Sequence, residues 1–344
     1  MGDDSQDLGE TQDRLKRLFD TVSGAESVLI LPHNDPDPDA IASALALRYL
    51  LEHRLATKAV IAYKGIIGRA ENRAMVRYLG SPVRRLTAQD WRQAMPIALV
   101  DTQPGTGNNA LPPGSTASIV IDHHPWAEAT AAARFADIRT EVGATSTILT
   151  EYLQIAGLEP APPLATALFY GIKSDTLGLG RGASPADANA YFYLQPRVDV
   201  EALVEIERAQ VPPDYFKSLT ATLQAARIYD TVVISYMGPL KYPELAAEMA
   251  DLLLRLQGTQ WVMCMGTYQE TLILAVRTRR PRGGAGQLVR SIVGDRGTAG
   301  GHGTMAGGQV PLQDQDPEAV ATQLSQQALR LLKVDPETAN RRLI

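Results

Sequence analysis

Short apolar runs that break off into histidine and aspartate, with helix-like stretches between them, limit what this chain can fold into more than any other feature. Residues 27–32, 58–63, 96–100 and 117–121 are strand-sized and rich in Val, Leu, Ile and Ala. Residues 40–53, 71–79, 144–155 and 163–172 instead carry apolar side chains at helical spacing, as at Ile41, Leu45, Leu47, Leu50 and Leu51. Buried strands alternating with helices predict an α/β fold, a parallel sheet with helices on both faces. At 344 residues the chain exceeds one average domain. The reading is a first domain over 1–195 behind a polar, frayed start, a helical linker over 196–226 broken by Pro212-Pro213, and a smaller α/β domain over 227–344. In the latter, 231–236, 261–267 and 271–277 read as strands, 243–256 holds a helix, and a glycine-rich loop at 297–308 precedes a last strand and helix.

Composition removes several classes. A chain 45% hydrophobic and 21% charged is not disordered, collagenous or a coiled coil. The net charge of −5 argues against a generally basic nucleic-acid coat and leaves room for a local site. Cys264 is the single cysteine, so neither a disulfide framework nor a cysteine zinc module is available, and it is expected to pack inside a strand. The acidic N-terminus does not resemble a secretory signal, and no apolar run is long enough for a bilayer. A cytoplasmic protein without membrane contact is the expectation.

Chemistry concentrates where strands end, which is where ligands gather in open parallel sheets. The first cluster is His33-Asn34-Asp35-Pro36-Asp37-Pro38-Asp39, an imidazole and three carboxylates that repel one another unless a cation sits among them. Its prolines keep it out of a helix, and the plain alternative is an acidic turn with Asp39 capping the next helix. Asp101 ends the run 96–101, as a two-oxygen bridge or a turn starter. Asp122-His123-His124 closes the run from Ile119, and Asp175 stands at a helix-to-loop junction, where capping is the ordinary role. Gly105-Thr-Gly107 imitates a dinucleotide fingerprint, but Leu111-Pro112-Pro113-Gly114 leaves no helix behind it. Ser43 reads as a small packing residue and His53 as a helix-end residue.

In order, His-x-x-Pro-Asp-x-Asp-Ala, Val-Asp, Asp-His-His and Gly-Ile-x-x-Asp-Thr resemble the DHH phosphoesterase superfamily. Gly300-Gly301-His302-Gly303-Thr304-Met305-Ala306-Gly307 resembles the signature loop of the DHH-associated substrate-binding domain. The resemblance spans nearly the whole chain and points to the nanoRNase and RecJ-like branch, with a parallel-sheet catalytic domain joined to a smaller substrate-binding domain. It implies two divalent ions, manganese in the first place and magnesium or cobalt as alternatives. His33 and Asp37 would hold one ion, Asp39, His123 and Asp175 the other, and Asp101 both. Asp101, His123 and His124 would be the catalytic residues, with His124 toward the substrate phosphate and Asp122 orienting ligands from behind. Asp35 is not counted as a ligand. The stretch Leu177 to Arg181 departs from the shorter family pattern.

Arg277, Arg279, Arg280, Arg282, Arg290 and Arg296 suggest a local phosphate site, since guanidinium forks match phosphate oxygens. Solvated edge-strand charge is the alternative for several of them. The resemblance singles out Arg277, with Gly300, Gly301 and His302, for substrate binding. The implied substrate is short RNA, or adenosine 3',5'-bisphosphate, cleaved to mononucleotides. Alternatives are cyclic or linear dinucleotides of the cyclic di-AMP kind, inorganic pyrophosphate, or regulatory nucleotide binding without turnover. A homodimer is a further possibility the sequence leaves open.

Overall fold

The computed structural model describes residues 3–92, 95–280, 283–335 and 341–344, with the side chains of residues 3–8 and of His302 also outside the description. The chain divides into two units, Met1–Ala209 and Gln210–Ile344, so the segment expected as a linker is shared between them. In the first unit α1 (Asp3–Val22) leads into β1 (Ser27–Pro32), α2 (Pro38–Leu55), β2 (Lys58–Tyr63), α3 (Ala70–Tyr78) and β3 (Arg84–Arg85). Then come β4 (Ile97–Val100), β5 (Ile119–Asp122), β6 (Phe135–Ile138), α4 (Thr145–Ile155), α5 (Pro162–Thr176), α6 (Pro185–Leu194) and α7 (Val200–Glu207).

The six strands form a parallel sheet in the order β3-β2-β1-β4-β5-β6. The sheet grows outward from β1 in one direction through β2 and β3 and in the other from β4 through β6, and this switch between β1 and β4 opens a crevice at their carboxyl ends. Along the central strands the side chains alternate with period two. Val28, Ile30, Ala98, Val100, Ile119 and Ile121 pack with the helices in one core. Leu29, Leu31, Leu99 and Val120 join Ala62 and Ala117 in a second, smaller one.

The expected frayed start is instead a helix. Leu15, Leu18 and Val22, three and four residues apart, bury against the first core, so one apolar stripe is enough to dock a polar sequence. The start of α2 is written in the acidic cluster: Asp37 caps it, accepting from Ala40 N at 3.0 Å, and Pro38 supplies a ready-made helical φ.

The second unit runs α8 (Pro213–Ala225), β7 (Arg227–Tyr229), β8 (Val232–Pro239), α9 (Leu245–Leu253), β9 (Trp261–Tyr268), β10 (Thr271–Thr278) and α10 (Ala285–Val293). It continues with β11 (Thr298–His302), β12 (Met305–Pro311), α11 (Pro317–Leu331) and β13 (Arg341–Arg342). Its sheet order is β11-β12-β10-β9-β8-β7-β13, antiparallel except for the parallel β8–β9 pair. Cys264 is buried in β9, as expected. The glycine-rich loop is not a loop: 298–302 and 305–311 are a hairpin. Glycine is needed there for contact, since a Cβ on Gly286 would stand 2.1 Å from the Gly301 carbonyl oxygen where α10 begins beside β11.

No helix among the described residues is long and apolar enough to cross a membrane.

Candidate metal centre

Three strand ends and two helix ends bring the predicted residues of the first unit together. His33 follows β1, Asp101 follows β4, Asp122 closes β5 with His123 and His124 behind it, Asp37 and Asp39 open α2, and Asp175 lies in the last turn of α5. His33 Nε2 is 3.5 Å from Asp101 Oδ2 and 3.6 Å from Asp37 Oδ1. The other oxygen of the same carboxylate, Asp101 Oδ1, is 3.5 Å from His123 Nε2, which in turn is 3.7 Å from Asp175 Oδ2. His33, Asp37 and Asp101 each bring one ligand atom to within 4.8 Å of the others, and Asp39, His123 and Asp175 do the same. Separations of 3.5–3.7 Å exceed ordinary N–H···O bonds. They suit donors that share a cation.

Electrostatics agree with that reading. Burial, and then the charges of Asp39, Asp37, Asp122 and Asp175, hold the Asp101 carboxyl well above the usual carboxylate range. Burial followed by Asp37 and Asp39 does the same to Asp175, against the pull of Arg181 and Arg69. Asp39 is pushed up to about 6 by burial and the Asp37 charge, although hydrogen bonds from Ser146 and Thr145 oppose this. Burial works against a charged His33, but the Asp37 carboxylate beside it overrides that and lifts the imidazole to about 9. Carboxylates crowded together out of water are stable as anions only with compensating positive charge. The oxygen and imidazole donors fit hard or borderline divalent cations.

Hydrogen bonds behind these donors fix their aim. His33 Nδ1 is 2.8 Å from Asn34 O and His123 Nδ1 is 3.3 Å from Val142 O, which turns each Nε2 toward the cage. His124 Nδ1 lies 2.8 Å from Asp122 Oδ1. For Asp122 burial is outweighed by this bond and by the charge of His124, and its carboxyl sits below the usual range. Asp35 points elsewhere, its Oδ1 accepting from Ile66 N at 2.7 Å in the turn after β2.

Sequence reasoning missed the supports. Thr145 N and Ser146 N, the first amides of α4, donate to the two oxygens of Asp39 at 2.7 Å each, so a helix N-terminus faces the carboxylate. Thr145 Oγ1 donates to Asp101 Oδ1 at 2.9 Å. The run Thr145-Ser146-Thr147 at a predicted helix start is the signal that could have found them. Gln103, fully buried, donates through Nε2 to Asp122 Oδ2 at 2.8 Å, and nothing in its turn-like context marks it. Arg181, in the unusual segment after Asp175, donates to the Asp175 carbonyl oxygen at 2.7 Å.

In the second unit the arginines expected at a phosphate site have partners within the protein. Arg277 is only 7% exposed, and its Nε donates to Asp251 Oδ1 at 2.5 Å, so its guanidinium is engaged by a carboxylate on α9 instead of standing open. Arg279 donates to Leu254 O, Arg290 to Gly301 O and Arg296 to Gln327 Oε1, while Arg280 lies over the Trp261 ring. Arg282 and the His302 side chain lie outside the described residues. Gly300 and Gly301 pair with Gly307 and Ala306 in the hairpin.

Residues 27–172 match the N-terminal domain of the DHH family. An uncharacterized protein of Methanocaldococcus jannaschii is 36% identical over 286 residues, 83% of this chain and 58% of that protein. The chain therefore spans less than two thirds of that relative's length. The crystal structure of an exopolyphosphatase-related protein from Bacteroides fragilis has a TM-score of 0.72 at 14% identity, covering 94% of this chain and 97% of that one. At that identity the likeness is one of fold.

Proposed function

We propose, from the match of residues 27–172 to the N-terminal domain of the DHH family, that the chain is a manganese-dependent phosphoesterase that cleaves short oligoribonucleotides to mononucleotides and hydrolyses the 3'-phosphate of adenosine 3',5'-bisphosphate, releasing AMP and inorganic phosphate. One observation carries the proposal: the two oxygens of Asp101 face two different imidazoles, His33 Nε2 and His123 Nε2, each at 3.5 Å. His33 and Asp37 would hold one ion, Asp39, His123 and Asp175 the second, and Asp101 would join them. Bound there, a divalent pair supplies Lewis-acid charge for the phosphoryl oxygens and an activated water for in-line attack. His124, whose side chain is 40% exposed at the edge of the cage, meets the substrate phosphate and is held by Asp122 from behind. Arg181, anchored on the Asp175 carbonyl, adds positive charge on the α5 side of the site.

A second reading, hydrolysis of condensed phosphate, is favoured by the shared fold with a protein described as exopolyphosphatase-related. The test is a panel: diadenylate, a twenty-mer RNA, cyclic di-AMP, adenosine 3',5'-bisphosphate, pyrophosphate and tripolyphosphate, with and without Mn2+. Release of mononucleotide from diadenylate that chelator stops, and that Asp101→Asn lowers on the order of 1,000-fold, is expected. Turnover confined to the condensed phosphates would replace the first reading with the second, and turnover in excess chelator would discard the metal site.

A further inference from the structure

Two residues beyond His124 stands a side chain that phosphate chemistry alone does not use. Trp126 is 56% exposed, while Trp261 is 4% exposed. An indole left in water two residues beyond His124 gives up burial that most large aromatic side chains take.

The backbone that carries it is nonetheless tied down on both sides by one buried side chain. Gln103 Nε2 donates to His124 O at 3.2 Å and to Pro125 O at 3.1 Å. Gln103 Oε1 accepts from Ala127 N at 2.8 Å and from Thr130 Oγ1 at 2.9 Å. The residues before and after Trp126 are therefore fixed, and the same Gln103 amide holds Asp122 behind His124. The main chain leaving Gln103 forms one wall of an open concavity of about 430 Å³, lined by Pro104, Gly105, Ala127, Glu128 and Ala129. These walls approach so closely that a Cβ on Gly105 would sit 3.3 Å from the Ala129 Cβ.

The lining is apolar apart from one carboxylate, Glu128, and contains no lysine or arginine. A further phosphate is repelled by such a surface. A flat, uncharged, polarizable ring is not.

We propose that Trp126, with the concavity walled by Pro104, Gly105 and Ala127 to Ala129, is a stacking platform for a nucleobase of the substrate whose phosphate lies at His124. The inference rests on the phosphodiesterase reading and deepens it, because it selects nucleotides over condensed phosphate. Base stacking on an aromatic side chain corresponds to roughly 5- to 100-fold in affinity and tolerates any base. Gln103 is then a positioning residue, coupling the aim of His124 to the placement of the indole.

The experiment is a binding titration of Mn2+-loaded full-length protein, read by tryptophan emission and by calorimetry, with AMP and with ribose 5-phosphate as probes. Wild-type protein is expected to bind AMP at least about tenfold more tightly than ribose 5-phosphate, with emission quenched by AMP alone. Trp126→Ala should abolish the quenching and close the affinity gap by weakening AMP only, and Trp126→Phe should restore most of the gap. Equal binding of both probes by the wild type, binding of neither, or a gap that survives in Trp126→Ala overturns the inference. Failure of the phosphodiesterase reading looks different: the wild type would release no mononucleotide from diadenylate even though the AMP preference was present.

Discussion

Asp101 has φ of 59°, in the left-handed region that a non-glycine residue enters only against a steric penalty, and its N–H donates to Ile121 O at 2.9 Å. That turn swings its carboxylate between the two imidazoles, into repulsion with its neighbours. The consequence is measurable as stability. Asp39, Asp101, Asp175 and His33 all hold protons more tightly in the fold than their ordinary values allow. Each therefore contributes stability that is present at lower pH and lost as pH rises, Asp39 through about 6 and His33 between its ordinary 6.5 and about 9. Asp37 and Asp122, whose carboxyls sit low, act in the opposite sense only below the ordinary carboxylate range. Thermal melts in chelator should show the midpoint falling as pH rises from about 5 to about 9, and saturating Mn2+ should remove that trend. A metal-free midpoint that climbs over this window would show that the carboxylates do not repel one another as the structure indicates.

Between elements, the cage depends on how closely three helices meet. Gly171 of α5 faces the starts of α2 and α4, and a Cβ there would stand 2.5 Å from Ser146 Oγ and 3.3 Å from Asp39 Oδ1. Gly171→Ala is expected to cost about 1–3 kcal/mol and to weaken Mn2+ binding, because the helix must move off the carboxylate it packs against. Chemical denaturation and a metal titration check both effects; a variant with unchanged metal affinity would show that the α4 amides do not set the position of Asp39. Strands 27–32 and 58–63 were legible because apolar period and length coincide there, and the donors were legible because they break those runs. The α1 helix and the 298–311 hairpin were not. A polar sequence hides a three-residue apolar stripe, and paired glycines look the same in a loop as in a strand that a helix must approach. Thr145, Ser146 and Gln103 escaped because they act through backbone amides and through partners distant in sequence.

At the scale of the whole molecule, each unit has its own cores, and every residue of the cage comes from the first. The arginine run of the second unit shows in sequence as charge without its partners, because Asp251, which pairs with Arg277, lies 26 residues before it. What the sequence did show was that scattered histidines and aspartates stand at strand ends, and parallel-sheet topology explains why they converge. The proposal beneath all of this is that the first unit holds two cations joined by Asp101. Crystals of the full-length chain grown with Mn2+ and measured at the manganese absorption edge test it most directly. Two anomalous peaks flanking the Asp101 carboxylate are predicted, one beside His33 and Asp37, the other beside Asp39, His123 and Asp175. A map with no peak among these residues, at metal concentrations that saturate any measured activity, would contradict the account.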